Sequence, residues 1–310
     1  MSSALAAKKP HALLRPAIAL PFLLIAMIWG STWFVITTQI AAAPTLWSVT
    51  YRFALAAPVM FALALATRQP LAMPGATHRL ALAMGLCQFV GNFVFVYLAE
   101  EHLTSGIVAL LIGLMFVPNA VLGAKLLGEP ITARFVLGSA LAVAGIGLLL
   151  VNEARVAPLG GNVLLGTAFG VFAMLAASVT NVIQALPAGR RVPIVTLVAW
   201  AIFYGALMDA ALALVFAGPP VFPEAPGFWL GTVYLAVVGT VVTLPLYYRL
   251  VRELGAGRAA YNGVLVVVFA MTLSTLFEGY RWTGLAVAGA VLALAGLIVA
   301  LRARQVAKDS

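Results

Sequence analysis

The chain is poor in charge, cysteine and histidine, and each shortage excludes a class of protein. Only 9% of its 310 residues are charged, whereas about a quarter are charged in an ordinary soluble domain, so a water-soluble fold is excluded. The single cysteine, Cys87, excludes an intramolecular disulfide and a cysteine-rich metal site. The histidines His11, His78 and His102 are scattered without metal-ligand spacing. We therefore expect neither a metal nor another cofactor.

The sequence also lacks the motifs of the common enzyme classes. It contains no phosphate-binding loop, no dinucleotide-binding fingerprint and no Ser/His/Asp set. A membrane-embedded enzyme would need His, Asp or Glu clustered at bilayer depth, and no such cluster is present. We predict that the protein is not an enzyme. A membrane-embedded enzyme, and a membrane protein that transports nothing, are the remote alternatives.

Long apolar runs make up most of the chain, which is 64% hydrophobic. Inside a bilayer the backbone must satisfy its own hydrogen bonds, as helices or as a closed barrel. Runs of about 20 residues fit helices, whereas barrel strands are about 10 residues long and alternate strictly. We predict ten transmembrane helices. Their expected ranges are 18–38, 45–66, 78–99, 103–126, 132–151, 161–185, 193–216, 227–249, 256–277 and 282–301.

Lysine and arginine predict the orientation of these helices. With the N-terminus inside, all but three of the eighteen basic residues fall on the cytoplasmic side. The exceptions are Arg155 and Arg281, which fall outside, and Arg52, which lies within the second helix. This bias predicts a multi-pass protein of the cell membrane with both termini cytoplasmic. It also explains the net charge of +9 without a nucleic-acid partner.

The second half of the chain resembles the first. The segment Ala26–Ser31 matches Ala173–Ser178, and each half holds five apolar runs. An odd number of crossings inverts the second copy, and two opposed copies can rock around a site near the midplane. We predict an all-α membrane protein of ten transmembrane helices, arranged as two inverted five-helix repeats around a central cavity. The expected divisions are a cytoplasmic segment 1–17, a first repeat 18–152, a second repeat 161–301 and a cytoplasmic tail 302–310.

Several short motifs carry a family resemblance. They are Trp29-Gly30-Ser31-Thr32, Tyr51-Arg52-Phe53, Pro118, Leu127-Gly128-Glu129-Pro130, and Gly138 with Gly145-Ile146-Gly147. With them the chain resembles the drug/metabolite transporter superfamily, in its ten-helix EamA-type branch, over about residues 18–301. The resemblance implies two inverted repeats, a central cavity and the transport of small metabolites, often outward and including amino acids. The second half departs from the pattern, since Val267 replaces a common proline and helix 6 lacks the Trp-Gly pair.

Polar and aromatic side chains within the apolar runs predict the binding site, because such groups usually face the interior of a helix bundle. Trp29 and Trp33 are four residues apart and share a helix face. We expect them to form a wall of the cavity, with helix packing or an interfacial belt as the alternatives. Amides suit a polar or zwitterionic ligand, and they equally suit hydrogen bonds between helices. The predicted substrate-binding residues are Trp29, Ser31, Trp33, Gln88, Asn92, Asn119, Asn181, Gln184, Trp200, Tyr204 and Asn262.

Two charged residues within the runs need their own explanation. Arg52 either anchors a carboxylate or phosphate of the cargo, or pairs with helix-end carbonyls or with Glu100, Glu101 or Glu278. We favour the second interpretation, which makes Arg52 a structural or gating residue. Asp209 lies in the outer half of the seventh run. A carboxyl group buried there is suited to proton coupling, and the alternative is a helix-end acid in water.

These observations predict a secondary-active transporter that exports a small metabolite, such as an amino acid, by alternating access. Its partners would be a small-molecule substrate, the lipid bilayer and protons as the coupling ion. Nucleic acid is not expected. Export of amphipathic drugs is the alternative within the transporter class. The sequence leaves the oligomeric state open.

Overall fold

The computed structural model describes residues 16–128, 130–156, 160–260 and 262–309. Within these ranges all regular secondary structure is helical, which confirms the all-α part of the predicted fold class. Eight helices are long and apolar enough to cross a membrane. They are α1 (Pro16–Ile40), α2 (Thr45–Ala66), α3 (Gly75–Glu100), α4 (Ser105–Leu126), α5 (Ala133–Val156), α6 (Val163–Ala185), α7 (Ile194–Phe216) and α8 (Pro226–Leu254).

Two further helices have shorter apolar parts. α9 covers Asn262–Phe277, and α10 covers Gly284–Asp309 with an apolar part at Gly284–Ala300. α9 begins later than expected because the chain bends at Gly255, where a φ of 85° favours glycine. A single helical turn, Ala256–Ala259, separates the bend from α9. The predicted count of ten spans, and the inversion that depends on it, stay predictions.

The two ends of the chain differ in how far the structure describes them. The predicted N-terminal segment 1–17 lies almost wholly outside the described residues. The predicted tail 302–310 continues the backbone of α10 as far as Asp309. Another single helical turn, Pro187–Arg190, lies between α6 and α7.

Proline and glycine set several helix boundaries. Pro44, Pro74 and Pro193 immediately precede α2, α3 and α7, and Pro226 opens α8. Proline suits a helix start because the missing N–H would have no partner there. α4 is followed by Gly128 in the left-handed conformation, with a φ of 68°. These prolines and this glycine, all visible in the sequence, therefore mark where the helices begin or end.

α3 and α8 share an irregularity in their middles. Residues Gly85–Val94 of α3 and Tyr234–Val242 of α8 have π-helical hydrogen bonding, which widens the turns. Such segments are rare and frequently lie at functional sites. α4 is also irregular, since a turn at Leu114 and Met115 divides it in two. These irregular segments all lie beside the cavity described below.

The packing of the helices pairs the two halves of the chain. α2 packs on α7, α4 on α9, and α5 on α10. α1 packs on α8 and α9, while α6 packs on α3 and α4. If each helix of the first half is replaced by its counterpart in the second half, α1 by α6 and so on to α5 by α10, and the reverse, these pairs of contacting helices stay the same.

The contact between α5 and α10 brings backbone against backbone. A Cβ at Gly138 would overlap the backbone of Ala300, and a Cβ at Gly145 would overlap the backbone of Ala293. Gly289 and Gly296 occupy the same contact from the side of α10. Small residues of this kind allow transmembrane helices to approach closely. Neither α5 nor α10 contributes a residue to the wall of the cavity described below.

Candidate functional site

A central cavity lies between α1, α2, α3, α4, α6, α8 and α9. The space between its lining atoms, with the open mouth included, is about 910 Å³. Its polar lining residues are Thr32, Arg52, Gln88, Asn92, Asn181 and Asn262. Its aromatic lining residues are Trp29, Trp33, Phe93, Tyr247 and Tyr248. Aliphatic side chains and glycines complete the wall.

The two tryptophans of α1 lie in the cavity wall one turn apart. Trp29 is fixed by α8, since its Nε1 donates to the carbonyl of Gly239 at 3.2 Å and to Oγ1 of Thr243 at 2.8 Å. Its ring lies 4.9 Å from that of Tyr247. Trp33 is 9% exposed, and its buried Nε1 has no hydrogen-bond partner in the part of the chain that the structure describes. Trp33 therefore leaves a hydrogen-bond donor free in the wall.

The amides of α3 line the cavity and also join helices. The π-helical segment carries both Gln88 and Asn92. Gln88 donates to Asn92 at 3.1 Å and accepts from the hydroxyl of Tyr248 on α8 at 3.3 Å. Asn92 donates to the carbonyl of Ala173 on α6 at 3.1 Å. Lining the cavity and joining helices by hydrogen bonds, the two roles expected for these amides, are therefore compatible.

Two further lining amides come from the second half of the chain. Asn181 of α6 donates to the sulfur of Met115 at 3.2 Å and to the hydroxyl of Tyr247 at 3.4 Å. Asn262, at the start of α9, donates to the carbonyl of Phe22 at 2.5 Å. The other polar atom of this amide, Oδ1 of Asn262, is buried without a partner among the described residues. The wall therefore also holds a free hydrogen-bond acceptor.

Arg52 combines structural contacts with a place in the wall. Its Nε donates to Oγ1 of Thr240 in the π-helical segment of α8 at 3.2 Å, and its Nη1 donates to the hydroxyl of Tyr97 at 3.4 Å. The guanidinium carbon lies 4.5 Å from the ring centre of Phe93. Arg52 is 1% exposed, and no carboxylate of the described residues lies within 4.0 Å of it. Its positive charge is therefore not paired.

Five of the predicted binding residues lie outside the cavity lining, namely Ser31, Asn119, Gln184, Trp200 and Tyr204. The hydroxyls of Ser31 and Tyr234 are 2.6 Å apart. Asn119 accepts from the hydroxyl of Ser178 at 2.7 Å. Both pairs join helices away from the cavity.

Gln184 lies at the end of α6, and Trp200 and Tyr204 lie in the first half of α7. Gln184 accepts from Nη2 of Arg252 at 2.8 Å. Trp200 donates to the carbonyl of Leu71 at 2.9 Å, and the hydroxyl of Tyr204 is 2.9 Å from Nδ1 of His78. These contacts tie α7 to the start of α3 and α8 to the end of α6.

The predicted proton-coupling residue also lies away from the lining. Asp209 is 1% exposed, and neither of its carboxyl oxygens has a hydrogen-bond partner among the described residues. It belongs to α7, which contributes no residue to the cavity wall. Any influence of Asp209 on the cavity must therefore pass through other residues.

The sequence analysis missed three aromatic lining residues. Tyr247 and Tyr248 lie near the end of α8, and Phe93 lies beside Arg52. Two adjacent tyrosines inside an apolar run are a signal that could have been used, because a buried hydroxyl usually needs a partner. Phe93 carries no such signal, since phenylalanine is common throughout membrane-spanning helices.

Comparison with known proteins places this cavity in a transporter. The model of the EamA-like transporter family matches residues 17–151 and, again, residues 164–302. A probable amino-acid metabolite efflux pump of Salmonella typhimurium is 26% identical over 93% of this chain and 97% of its own length. A protein of the same description from Escherichia coli K12 is 26% identical over 89% of this chain and 92% of its own length.

More distant likenesses agree. The uncharacterized inner membrane transporter YedA of Escherichia coli K12 is 28% identical over 82% of this chain and 80% of its own length. A protein of known crystal structure has the same fold, with a TM-score of 0.66 at 20% identity, over 92% of this chain and 98% of that one. The family and the three relatives named above are described as transporters and not as enzymes, which is consistent with our prediction. Because the family model matches both halves, the chain belongs to the EamA-like transporter family.

Proposed function

We propose that the protein is a secondary-active carrier that exports a small zwitterionic metabolite of the amino-acid type. The observation that carries this proposal is the set of unsatisfied groups around one cavity. Among the described residues, Arg52 has no carboxylate partner, and Nε1 of Trp33 and Oδ1 of Asn262 are buried without hydrogen-bond partners. Buried polar groups without partners are rare in folded proteins. A ligand that carries both an anionic and a cationic group would satisfy all three.

The chemistry of each group assigns it to one end of such a ligand. An α-carboxylate accepts hydrogen bonds, so it would bind the guanidinium of Arg52 and Nε1 of Trp33. An ammonium group donates, so it would bind Oδ1 of Asn262. Trp29 and Tyr247 present aromatic faces in the same wall, and aromatic faces attract cations. The names of the two amino-acid metabolite efflux pumps support the same substrate class.

Three observations support alternating access by two inverted repeats. The family model matches the chain twice, at residues 17–151 and 164–302. The helix contacts are preserved when the two halves are exchanged. The third helix of each half, α3 and α8, carries a π-helical segment. Together with the bias of lysine and arginine, they favour ten spans, an inverted second half and cytoplasmic termini.

Export of amphipathic drugs is a second candidate. Aliphatic side chains such as Ile36, Leu244 and Val266 fill the wall between the polar groups. Such a wall can hold an apolar body of variable shape, because hydrophobic attraction is not directional. Drug sensitivity of a deletion strain, unaffected by an excess of amino acids, would favour this candidate.

The test is counterflow in liposomes that contain purified protein. The vesicles are loaded with pooled amino acids, and labelled L-leucine is supplied outside. We expect tracer uptake by the wild type and at least about a fivefold loss in Trp33→Phe, because a lost hydrogen bond to a charged group costs about 1.5–3 kcal/mol. Phenylalanine keeps a ring but removes the N–H donor.

The control is Trp282→Phe, which changes a half-exposed tryptophan outside the cavity. Its uptake should equal that of the wild type. Folded wild-type protein that exchanges no labelled amino acid would refute the proposed substrate class. Equal uptake by Trp33→Phe and wild type would remove Trp33 from the binding site.

A further inference from the structure

Two helices, α4 and α9, give the central cavity an apolar side. The polar lining residues named above come from α1, α2, α3 and α6, and from Asn262, the first residue of α9. The lining residues that carry no polar side-chain atom on the facing parts of α4 and α9 are Ala109, Ile112, Gly113, Gly263 and Val266. Because α4 packs against α9, these residues lie together. We call them the α4–α9 surface.

The glycine at position 263 leaves space in this surface. A Cβ at Gly263 would meet Cα of Gly113 at 3.7 Å, which is an ordinary van der Waals contact, and no other atom that the structure describes on a neighbouring helix within 4 Å. Gly263 also lies within α9 without a positive φ. Neither crowding nor backbone conformation therefore requires a glycine here. The effect of the missing side chain is to widen the cavity.

The region behind Gly113 is apolar as well. A Cβ at Gly113 would lie 3.2 Å from Cγ2 of Val267. Gly113 and Val267 both line a second, smaller space between α4, α5, α9 and α10, whose lining residues are all apolar or glycine. A polar group held at the α4–α9 surface would lose its hydrogen bonds to water and gain none from these side chains, which is costly. The surface therefore favours an apolar group.

The covalent structure of an amino acid brings its side chain to this surface. In an α-amino acid the ammonium group and the side chain are bonded to the same carbon atom. With the ammonium group at Oδ1 of Asn262, as proposed above, the side chain begins close to Asn262. The next residue of α9 is Gly263, and both residues line the cavity. The α4–α9 surface is therefore the part of the wall that the side chain meets.

We propose that Gly113 and Gly263 form the floor of a side-chain pocket that selects amino acids with bulky apolar side chains. This inference rests on the proposed function and specifies its substrate class. A side chain as small as that of alanine leaves the space beside the two glycines unfilled. A polar side chain gives up its hydrogen bonds to water there. Gly263 determines the size that the pocket accepts.

The first experiment measures how unlabelled L-amino acids compete with labelled L-leucine for binding to the purified wild-type protein. Leucine should bind at least about tenfold more tightly than alanine, because each buried methylene group favours binding about fourfold and the leucine side chain is larger by three carbon atoms. Valine should bind about 10- to 100-fold more tightly than threonine, which has nearly the same shape but carries a hydroxyl group.

The second experiment changes the floor of the pocket. Gly263→Ala adds a methyl group that meets the protein at an ordinary contact distance and takes space from the ligand. It should weaken leucine binding at least about fivefold, through overpacking, and leave alanine binding within about twofold of the wild type. The matched control is Gly147→Ala on α5, outside the cavity and with no atom within 4 Å of the added methyl group. It should keep both wild-type affinities.

Thermal unfolding in detergent checks that both variants fold, as expected because alanine favours a helix more than glycine does. Equal affinities of the wild type for leucine and alanine would overturn the pocket and leave amino-acid transport standing. So would a Gly263→Ala protein that binds both ligands as the wild type does, or that loses both by the same factor. Folded wild type that binds no amino acid would refute the proposed function, and the pocket with it.

Discussion

At the scale of single residues, Arg52 makes structural contacts and lines the cavity at the same time. Phe93 and Tyr97 of α3 and Thr240 of α8 contact it, and it also lies in the cavity wall. The structural or gating role and the anchor role proposed for it are therefore not exclusive. A guanidinium can meet both demands because its donors point in several directions.

Substitution of Arg52 should separate these roles. Arg52→Gln removes the charge and should lower leucine counterflow at least about tenfold, since hydrogen bonds to charged groups contribute about 1.5–3 kcal/mol. Arg52→Lys keeps the charge but loses the fixed contacts to Thr240 and Tyr97, and should keep measurable transport. Thermal unfolding in detergent provides the control for folding. Equal loss of transport and of stability in both variants would leave Arg52 a structural role alone.

The spacing of residues predicted which side chains share a helix face. Trp29 and Trp33 are four residues apart, and both line the cavity. Ser31 is two residues from each and faces elsewhere, as helical geometry requires. Trp200 and Tyr204 also share a face, but that face packs against the start of α3. Spacing reveals which residues lie together, whereas the neighbour they meet depends on tertiary packing.

At the scale of helices, the contact between α5 and α10 is the tightest part of the structure. Four glycines replace side chains there, so the two backbones touch. The sequence showed these glycines but not their partners. The π-helical segments of α3 and α8 were not predictable, because no residue type distinguishes them from ordinary apolar helix.

Two glycines of α5 offer a matched pair of substitutions. Gly145→Ala would place a methyl group against the backbone of Ala293, and overpacking of this kind costs about 1–3 kcal/mol. Gly147→Ala meets nothing within 4 Å and should stabilise the helix by about 0.5–1 kcal/mol. We expect the first to lower, and the second to maintain or raise, the unfolding temperature in detergent. A Gly145→Ala protein as stable as the wild type would show that the contact can relax.

At the scale of the whole molecule, the two halves share the matching set of helix contacts described above but differ in chemistry. The first half contributes Arg52 and both α1 tryptophans to the cavity, whereas the second contributes Asn262 and the paired tyrosines. The sequence predicted an all-helical membrane protein because composition and run length suffice for that. It could not predict the free donor and acceptor, since these depend on which partners each polar atom finds.

The predicted orientation can be checked by labelling. In a Cys87→Ser background, Ala76→Cys and Ala225→Cys each place a thiol at an exposed position next to a helix start. The distribution of basic residues puts position 76 in the cytoplasm and position 225 outside. A membrane-impermeant maleimide should label Ala225→Cys in intact cells and Ala76→Cys only after lysis. The reverse pattern would invert the orientation.

The glycine contact between α5 and α10 also limits how the molecule can move. Two packed surfaces can exchange one arrangement for another when their side chains repack. At Gly138 and Gly145 the backbone of α5 meets that of α10 with no side chain between them. We therefore expect α5 and α10 to move as one unit and to serve as a fixed frame. If the carrier works by alternating access, as proposed, we expect the displacements that open the cavity to lie in α1–α4 and α6–α9, and they should be measured relative to that frame.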